Sequence, residues 1–398
     1  MFMKNKKIAV IGGAGDVVKT FYHPAGLFIK AKKMGYDLVC IDIKPKIKID
    51  KTLLSGYTAV YGPSSPEIKK IKFFAALIVT PPQFHYAWAS WAVKKKVPHV
   101  FIEKPIVAPK DLKHFANLLK RNNSQKEQNT IFYGIDWIRN NGAVTEAFKH
   151  LAEIGEIEEI SGILVESVPV ERNRKQLLEK SANGGGMSQD MAVHVLFLVL
   201  ELLGKTKTRP KVKVEIKNSE FFKLVNSEKI GIAETAARLE FDIKSDAGKK
   251  RVRIWCGKGL SYTEYVIRIK GKNAEMIIEL GQHDVNARPK VTVKSKTRVK
   301  NYSKTKWSSD LGYREIVSEI FNNLSKPKEK NPSRNEIIKN MSLAVDILHQ
   351  ASIIAAGKHY EKPLIKYKMG TNLWKDDLQF RKTSLIFSRQ KNEEAKGI

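Results

Sequence analysis

The chain has 398 residues, of which 42% are hydrophobic, and this length predicts two domains rather than one core. Its 71 Lys and Arg residues outnumber 41 Asp and Glu residues, which gives a formal net charge of +30. Two widely separated cysteines argue against a disulfide framework and a zinc cluster, so we expect no bound metal.

The strongly basic surface attracts anions, and nucleic acid is one class of anionic partner. The lysines are spread over the whole chain rather than gathered in one stripe with aromatic residues, which argues against nucleic acid. An anionic small substrate stays compatible with this surface. The N-terminus lacks a signal-peptide pattern, and the longest apolar run, residues 191–203, contains His194 and Glu201. We therefore expect a cytoplasmic protein without a membrane span.

Short apolar runs alternate with helical patterns from Lys7 to about Gly134. A helix is predicted after the first run as far as Met34, a loop after the second, and helices after the third and fourth. The predicted strands are KIAVI, LVCI, AALIV, HVFI and IFYGI. This alternation predicts an α/β fold that begins with a doubly wound, Rossmann-type parallel sheet. We assign residues 1–140 to a dinucleotide-binding domain.

A glycine-rich turn follows the first predicted strand, where backbone amides can approach a pyrophosphate. Its spacing departs from GxGxxG because Val18 stands where the third glycine is expected, and a tight turn without a ligand is the alternative. The candidate cofactor contacts in this turn are Gly12, Gly13, Ala14, Gly15, Asp16 and Val17.

Asp42 follows the second predicted strand, and its carboxylate could accept hydrogen bonds from a ribose diol. This favours NAD, because a carboxylate repels the 2′-phosphate of NADP. Lys44 and Lys46 lie close enough to keep NADP open, and a surface aspartate without a ligand is the other alternative.

Two further strand ends carry candidate cofactor contacts at the carboxyl edge of the sheet, where ligands bind. The third strand leads into a rigid loop, after which His85 either lines the cofactor or caps the next helix. The residues of this loop are Thr80, Pro81 and Pro82. The fourth strand leads into Glu103, which can orient its neighbours, then Lys104, which is aimed into the cleft, and Pro105, which can adopt a cis bond.

The character of the sequence changes after a predicted helix over residues 142–151. Long segments with alternating apolar and charged positions, including KVTVKSKTRV as one strand, predict an α+β domain with a large, mainly antiparallel open sheet. We assign residues 141–370 to this substrate and oligomerisation domain. Its late helices, the longer one starting at Pro332-Ser333, are expected to pack back on the first domain, and residues 371–398 form a basic tail.

Asp190 and His194 lie four residues apart in GGGMSQDMAVH and share one face of a predicted helix. Oxidation of a secondary alcohol needs a base for the hydroxyl proton and a group that stabilises charge on the oxygen. His194 and Lys104 could divide that work, while Asp190 could hold a tautomer of His194 or bind a second hydroxyl. A core histidine is the alternative, but the glycine run lets the backbone pass near a ligand.

With the N-terminal turn, TPPQFH, EKP and GGGMSQDMAVH, the chain resembles the Gfo/Idh/MocA family of nicotinamide-dependent sugar and inositol oxidoreductases over residues 6–365. The resemblance implies that Lys104 and His194 contact the reacting hydroxyl and that Asp190 binds the substrate. It also implies a homo-oligomer, a dimer or tetramer, formed through the second sheet.

The turn GGAGDVVKTFYHPA is more similar to the GxxGDLAKxxxxPA turn of glucose-6-phosphate dehydrogenases, and IDWIRNNG is similar to their IDHYLGK segment. This second resemblance implies a sugar or sugar phosphate substrate and adds four weaker candidates for the pocket wall, for each of which a plain structural role is the alternative: Asp136, Trp137, Arg172 and Asn173.

We therefore predict an NAD(P)-dependent oxidoreductase that acts on a secondary hydroxyl of a sugar, cyclitol or sugar phosphate. One alternative is a reductase of a C=N or conjugated substrate on the same fold. The other is a nucleotide-sensing protein without catalysis.

Overall fold

A computed structural model describes eleven segments of the chain: residues 6–44, 46–124, 130–167, 180–204, 213–222, 234–245, 248–258, 263–281, 288–304, 312–325 and 332–359. The candidate residues Arg172 and Asn173 lie outside these segments, as does the basic tail 371–398.

The first sheet has six parallel strands in the order β3-β2-β1-β4-β5-β6, which confirms the predicted doubly wound sheet. The strands β4 and β5 are buried at every residue, as expected for strands covered by helices on both faces. The strand bounds are β1 (Lys6–Ile11), β2 (Tyr36–Ile41), β3 (Ala59–Tyr61), β4 (Ala75–Ile78), β5 (His99–Ile102) and β6 (Ile131–Gly134).

Helices connect these strands and lead into the second domain. The bounds are α1 (Leu27–Lys33), α2 (Lys51–Leu54), α3 (Pro66–Lys70), α4 (His85–Lys94), α5 (Leu112–Ser124), α6 (Trp137–Asn140), α7 (Gly142–Ala147) and α8 (Leu151–Ile154). Short 3-10 turns cover Lys46–Lys48, Pro82–Phe84, Pro109–Asp111 and Phe148–His150.

Two predictions for the first domain were wrong in detail. The helix expected as far as Met34 is broken into a π-helical turn, Val18–Tyr22, and α1, because Pro24 has no N–H to donate and Gly26 has a φ of 88°. The loop expected after β2 contains α2, β3 and α3. The strand β3 has only three residues, so its apolar run is too short for a strand to be predicted from it.

The second sheet has eight strands in the order β14-β13-β12-β11-β7-β10-β9-β8 and confirms the predicted large, mainly antiparallel sheet. Only the central pair, β7 and β10, is parallel among the described strand pairs of this sheet. The bounds are β7 (Ile157–Glu166), β8 (Lys213–Phe222), β9 (Ala236–Ser245), β10 (Gly248–Lys258), β11 (Glu264–Gly271), β12 (Ala274–Glu279), β13 (Lys290–Ser295) and β14 (Val299–Tyr302).

The segment KVTVKSKTRV, predicted as one strand, contains a hairpin turn between β13 and β14. The backbone N–H of Ser295 donates to the carbonyl of Arg298 across this turn at 2.8 Å. A two-residue turn built from Lys296 and Thr297 has no glycine or asparagine to mark it in the sequence.

One helix, α9 (Val193–Gly204), is buried at every residue from 193 to 200 and lies against the inner face of the second sheet. A Cβ atom on Gly162 of β7 would stand 2.6 Å from the Val195 side chain, so the strand passes close to the helix. The segment Ser181–Leu203 is long and apolar enough to span a membrane, but 94% of that apolar window is buried inside the protein. Such burial accounts for an apolar surface around the whole helix.

Of the two late helices, α10 (Tyr313–Ser325) packs on the first domain and α11 (Pro332–His359) contacts both domains. Tyr313 stacks on Phe21 of the first domain with ring centroids 4.7 Å apart, and the Lys30 ammonium donates to Ser318 Oγ at 2.9 Å. The helix α11 starts at Pro332, as predicted, and packs on α9, β6 and β8. A Cβ atom on Gly134 would meet Met341 Sδ, which explains the glycine that ends β6.

Candidate active site

The glycine-rich turn lies where the strand order of the first sheet reverses, between β1 and its neighbours β2 and β4. Gly12 has a φ of 83°, and a Cβ atom there would stand 3.0 Å from the carbonyl of Val79 after β4. The carbonyl of Gly13 accepts a hydrogen bond from Tyr57 Oη at 2.8 Å. A Cβ atom on Gly13 would stand 2.7 Å from Tyr57 Oη. Local packing therefore requires both glycines.

The carboxylate of Asp42 holds this turn in place. Its Oδ2 accepts from the backbone N–H of Ala14 and its Oδ1 from that of Lys44, each at 2.9 Å. The Lys44 ammonium also donates to the Ala14 carbonyl at 3.2 Å. Asp42 and Lys44 therefore stand side by side at the rim of the turn, as the sequence suggested.

The loop after β4 carries polar atoms that suit a ligand. Thr80 Oγ1 and Gln83 Oε1 are buried and have no hydrogen-bond partner in the described part of the chain. Buried polar atoms are normally hydrogen-bonded, so two such atoms beside the switch point of a Rossmann sheet fit a dinucleotide. Thr80 is one of the predicted cofactor contacts of this loop, those at Pro81 and Pro82 stay predictions, and Gln83 was not predicted from the sequence.

His85 neither caps α4 nor reaches the surface. Its fully buried ring contacts two carbonyl oxygens, with Nε2 2.6 Å from Thr80 O and Nδ1 2.9 Å from Pro105 O. Burial lowers the pKa of His85, while the two carbonyls and a backbone bond at Ile106 oppose that shift. The ring therefore braces the loop after β4 against the loop after β5.

Glu103 is buried at the start of the β5 loop, whose Lys104–Pro105 peptide bond is cis. Its Oε1 accepts from Tyr22 Oη at 2.6 Å and its Oε2 from the backbone N–H of Lys104 at 3.1 Å. Burial raises the pKa of Glu103 to about 7, although the Tyr22 hydrogen bond and the Lys104 charge act in the opposite direction. Glu103, itself held by Tyr22, thus orients the backbone of Lys104.

A pH-dependent stability difference follows from the raised pKa of Glu103. The folded protein binds this proton more tightly than the unfolded chain, so the stabilisation is full below the ordinary value of 4.5 and is lost as the pH rises through about 7. The free energy of unfolding of wild type minus that of Glu103→Gln should fall by about 3 kcal/mol from pH 4.5 to pH 8. Urea denaturation across this range measures it, and a difference that does not change with pH would contradict the raised pKa.

Lys104 reaches across to the second domain and binds Asp190. Its ammonium donates to the Asp190 carbonyl at 2.6 Å and to Asp190 Oδ1 at 2.7 Å. The Lys104 side chain is 14% exposed, so solvent can reach it. An ammonium has three N–H donors, and these two contacts leave one for a ligand within the described part of the chain.

His194 is held by two neighbouring residues that follow β6. Its Nδ1 lies 2.7 Å from Asp136 Oδ2, and the Trp137 indole N–H donates to His194 Nε2 at 2.8 Å. Because an indole nitrogen can only donate, Nε2 carries the lone pair and the Nδ1–H donates to Asp136. Burial lowers the pKa of His194 and the Lys104 charge adds to this shift, while Asp136 opposes it. The ring is therefore a neutral imidazole.

The expected partnership between Asp190 and His194 was wrong in one respect. Asp190 lies in a π-helical turn, Ser188–Ala192, which leads directly into α9, and its carboxylate is turned to Lys104. Asp136, rather than Asp190, fixes the tautomer of His194. Residue spacing predicted the shared helical turn but not which carboxylate would face the ring.

The glycine run before Asp190 is explained by close packing. Gly184 has a φ of 83° and a Cβ atom there would stand 2.7 Å from Pro82 Cβ, which joins this run to the loop after β4. Gly186 has a φ of 90° and lies against the carboxylate of Glu234. That carboxylate accepts from Ser188 N at 3.1 Å and Ser188 Oγ at 2.5 Å, and so holds the start of the π-helical turn.

The second sheet adds three side chains that sequence reasoning missed. Lys258, at the end of β10, lies 2.9 Å from Glu166 Oε2 and 3.5 Å from Asp190 Oδ2 through its ammonium. Tyr265 Oη donates to Glu166 Oε1 at 2.7 Å, and its ring centroid is 6.0 Å from that of Trp137. Lys258 shares its strand parity with the buried Ile254 and Cys256, and this inward register is the one feature of the sequence that could have singled it out.

These contacts form a continuous polar layer between the two domains. It runs from Lys104 through Asp190, Lys258 and Glu166 to Tyr265, and the Asp136–His194–Trp137 group adjoins it. Chemically, the layer provides an ammonium that can donate to an oxygen and a neutral imidazole supported by a carboxylate. An imidazole so supported can accept a proton.

Comparisons with known proteins bear on this site. Residues 61–129 match the model of the Gfo/Idh/MocA oxidoreductase family, which has an NAD-binding Rossmann fold. The matched segment contains the loop after β4 and the Lys104 loop, and it confirms the predicted class of cofactor. No curated protein sequence matches the chain significantly.

Solved structures share the fold over most of the chain. A provisionally assigned oxidoreductase of Thermotoga maritima is 16% identical with a TM-score of 0.64, covering 88% of this chain and 98% of its own. One from Erwinia carotovora atroseptica is 15% identical with a TM-score of 0.66, covering 87% and 98%. The 3-ketoreductase KijD10 of Actinomadura kijaniata, in complex with NADP and TDP-benzene, is 13% identical with a TM-score of 0.63, covering 86% and 96%. At these identities the similarity establishes the α/β fold.

Proposed function

We propose that this protein transfers a hydride between a nicotinamide cofactor and a secondary hydroxyl or keto group of a sugar, cyclitol or sugar phosphate. The observation that carries the proposal is the polar layer, in which Lys104 keeps one N–H donor and its charge acts on a neutral His194. The family match over residues 61–129 supports the oxidoreductase class, and KijD10 is a neighbour that reduces a keto group.

The residues that would hold the cofactor surround the switch point of the first sheet. The turn from Gly12 to Val17 would face the pyrophosphate, Asp42 the ribose, and Thr80 with Gln83 would supply unsatisfied polar atoms. When bound, the nicotinamide supplies the site that accepts or releases the hydride. The similarity of the turn to that of glucose-6-phosphate dehydrogenases stays a prediction.

In the direction of oxidation, two electrons and the hydrogen leave the substrate carbon as hydride, and the hydroxyl proton must go to a base. Lys104 would donate its remaining N–H to the substrate oxygen and stabilise the charge that develops there. His194 Nε2 would accept the proton once the Trp137 indole N–H has moved aside, and Asp136 would stabilise the resulting imidazolium. In reduction, the same groups return the proton to the oxygen.

The experiment is a panel of sugars, cyclitols and sugar phosphates, each assayed with NAD and NADP for the change in nicotinamide absorbance. Turnover of at least one compound that is lost in Lys104→Ala supports the proposal. If the protein binds a dinucleotide but turns over none of the compounds, hydride transfer to this substrate class is wrong and the nucleotide-sensing alternative is favoured.

We propose NAD as the preferred cofactor, because the Asp42 carboxylate stands at the rim of the turn. Wild type should bind NADH more tightly than NADPH, and Asp42→Asn, which keeps an oxygen acceptor but removes the charge, should narrow this preference about tenfold. Fluorescence titration with both reduced dinucleotides measures the two Kd values. A clear NADPH preference in wild type would overturn the argument from Asp42. It would indicate that Lys44 and its neighbours bind the 2′-phosphate at the rim of the turn.

We also propose a cytoplasmic homo-oligomer formed through the second sheet. The two cysteines, Cys40 and Cys256, are free and buried, which is compatible with a reducing compartment. Sedimentation velocity at several protein concentrations tests self-association, and a monomer at all of them would reject it.

A further inference from the structure

We propose that Lys258 and Glu166 form a subsite that binds the substrate hydroxyl adjacent to the reacting carbon, so that Lys258 is a specificity-determining residue. This inference rests on the proposed function for the position of the reacting carbon. Neither residue belongs to the motifs from which the chemistry of the site was predicted.

The two side chains come from neighbouring parallel strands and meet at one register position. Lys258 pairs with Glu166 in the register of β10 on β7, and both stand at the carboxyl ends of their strands. Their charged groups are 2.9 Å apart. The Lys258 side chain is buried, with 10% exposed, and that of Glu166 is 22% exposed, so solvent reaches the pair mainly at Glu166.

The position of the pair relative to Lys104 is fixed by Asp190. One carboxylate oxygen of Asp190 binds the Lys104 ammonium at 2.7 Å, and the other lies 3.5 Å from the Lys258 ammonium. The Asp190 carboxylate therefore bridges the ammonium groups of Lys104 and Lys258. Because both ammonium groups contact the same carboxylate, they lie close enough together for one sugar ring to meet both, with its reacting oxygen on Lys104 and its next hydroxyl on Lys258.

The donor and acceptor groups of the pair match a hydroxyl. The contacts of Lys258 with Glu166 and Asp190 account for two of its three N–H donors among the described residues, and the third can donate to the hydroxyl oxygen. Glu166 accepts from Lys258 and from Tyr265 Oη, and its oxygens have further lone pairs that can accept the hydroxyl proton. The ammonium can therefore donate to the hydroxyl oxygen while the carboxylate accepts from the hydroxyl hydrogen.

The charges in the layer favour an uncharged group at this position. Lys104 and Lys258 carry two positive charges, and Asp190 and Glu166 carry two negative charges at their ion pairs. A phosphate placed on Lys258 would have to compete with Glu166 for the ammonium and would approach two carboxylates. A neutral hydroxyl meets no such repulsion.

The experiment measures ligand binding to the protein saturated with a nicotinamide dinucleotide, so that it does not depend on turnover. The probes are D-glucose, D-galactose and myo-inositol, each compared by calorimetry with its monodeoxy analogues. For the compound that binds best, we expect removal of one hydroxyl to raise Kd about 10- to 100-fold in wild type. Lys258→Met should bind the parent compound as weakly as wild type binds that analogue.

The variant series separates recognition from a structural role. Lys258→Met should show the same Kd for the parent and the analogue, because the group that distinguishes them is missing, whereas Lys258→Arg should restore part of the discrimination. Lys249→Met is the matched control, because Lys249 lies on the same strand but pairs with Asp242 and is half exposed. It should leave the wild-type discrimination unchanged.

Two results would overturn the subsite. Discrimination by Lys258→Met that equals wild type would show that another group reads the hydroxyl, and an equal loss of affinity for the parent and all analogues would assign Lys258 to holding Asp190 alone. Binding with the expected discrimination but no turnover would keep the subsite and reject the proposed hydride transfer. No binding of any probe by wild type would reject the subsite, and turnover of another compound of the panel would still keep the proposed hydride transfer.

Discussion

Replacing Lys104 with alanine is expected to lower kcat/KM by about three orders of magnitude on any substrate found in the panel. The substitution removes the N–H donor to the substrate oxygen, and loss of one such donor or of a positioned acid costs roughly 10²- to 10⁴-fold. It also leaves the Asp190 carboxylate with Lys258 as its ammonium partner. Steady-state kinetics with saturating dinucleotide measures the loss.

Folding and cofactor binding should survive this substitution, since the Lys104 side chain is partly exposed and lies beyond the end of β5. The Kd of the dinucleotide should change by less than about threefold, which is below 1 kcal/mol. Lys113→Ala, an exposed lysine on α5, is the matched control and should retain wild-type kinetics. Unchanged turnover in Lys104→Ala would remove Lys104 from the mechanism and favour a reductase of a C=N or conjugated substrate, for which this lysine is dispensable.

The positions of the loops that follow the strands of the first domain could be predicted from the sequence, because the parallel topology alone places them at one edge of the sheet. Once the runs before Gly12, Asp42, Thr80 and Lys104 are assigned as parallel strands, their carboxyl ends must meet at one edge. The edge strand β3 escaped prediction because its apolar run has only three residues, which is shorter than the about four to eight residues from which a strand is predicted.

The partners of the site residues could not be predicted in the same way. Spacing along a helix tells which side chains share a turn, but the side chains that face them come from other elements. His194 contacts Asp136 and Trp137, which follow β6, and Asp190 contacts Lys258 at the end of β10. Lys258 is one of many lysines in the chain, and Lys250 shares both its strand parity and its burial, so parity separates Lys258 from the outward-facing lysines but does not place it beside Asp190.

Replacing Asp136 with asparagine is expected to lower kcat by about 10²- to 10⁴-fold, because it disturbs the tautomer of His194. Asp136 Oδ1 accepts from the backbone N–H of Ile138 and Oδ2 from His194 Nδ1–H. Asparagine has one carbonyl oxygen, so if it keeps the Ile138 bond, its NH₂ group faces the ring. Moving the ring proton to Nε2 would then oppose it to the indole N–H of Trp137.

Trp137→Phe separates catalysis from stability in this group. The variant removes the donor that covers His194 Nε2, so it should keep or raise kcat if the ring accepts the substrate proton there, while Asp136→Asn loses activity. Both variants leave buried polar groups without a partner and should lower the free energy of unfolding by about 1–3 kcal/mol.

Because the pKa of His194 is lowered, the wild-type oxidation rate should stay constant down to pH 6.5 and fall below it, as the imidazole becomes protonated. If kcat fell equally in the two variants, the indole N–H would be needed during the reaction and His194 would be a structural residue rather than the base.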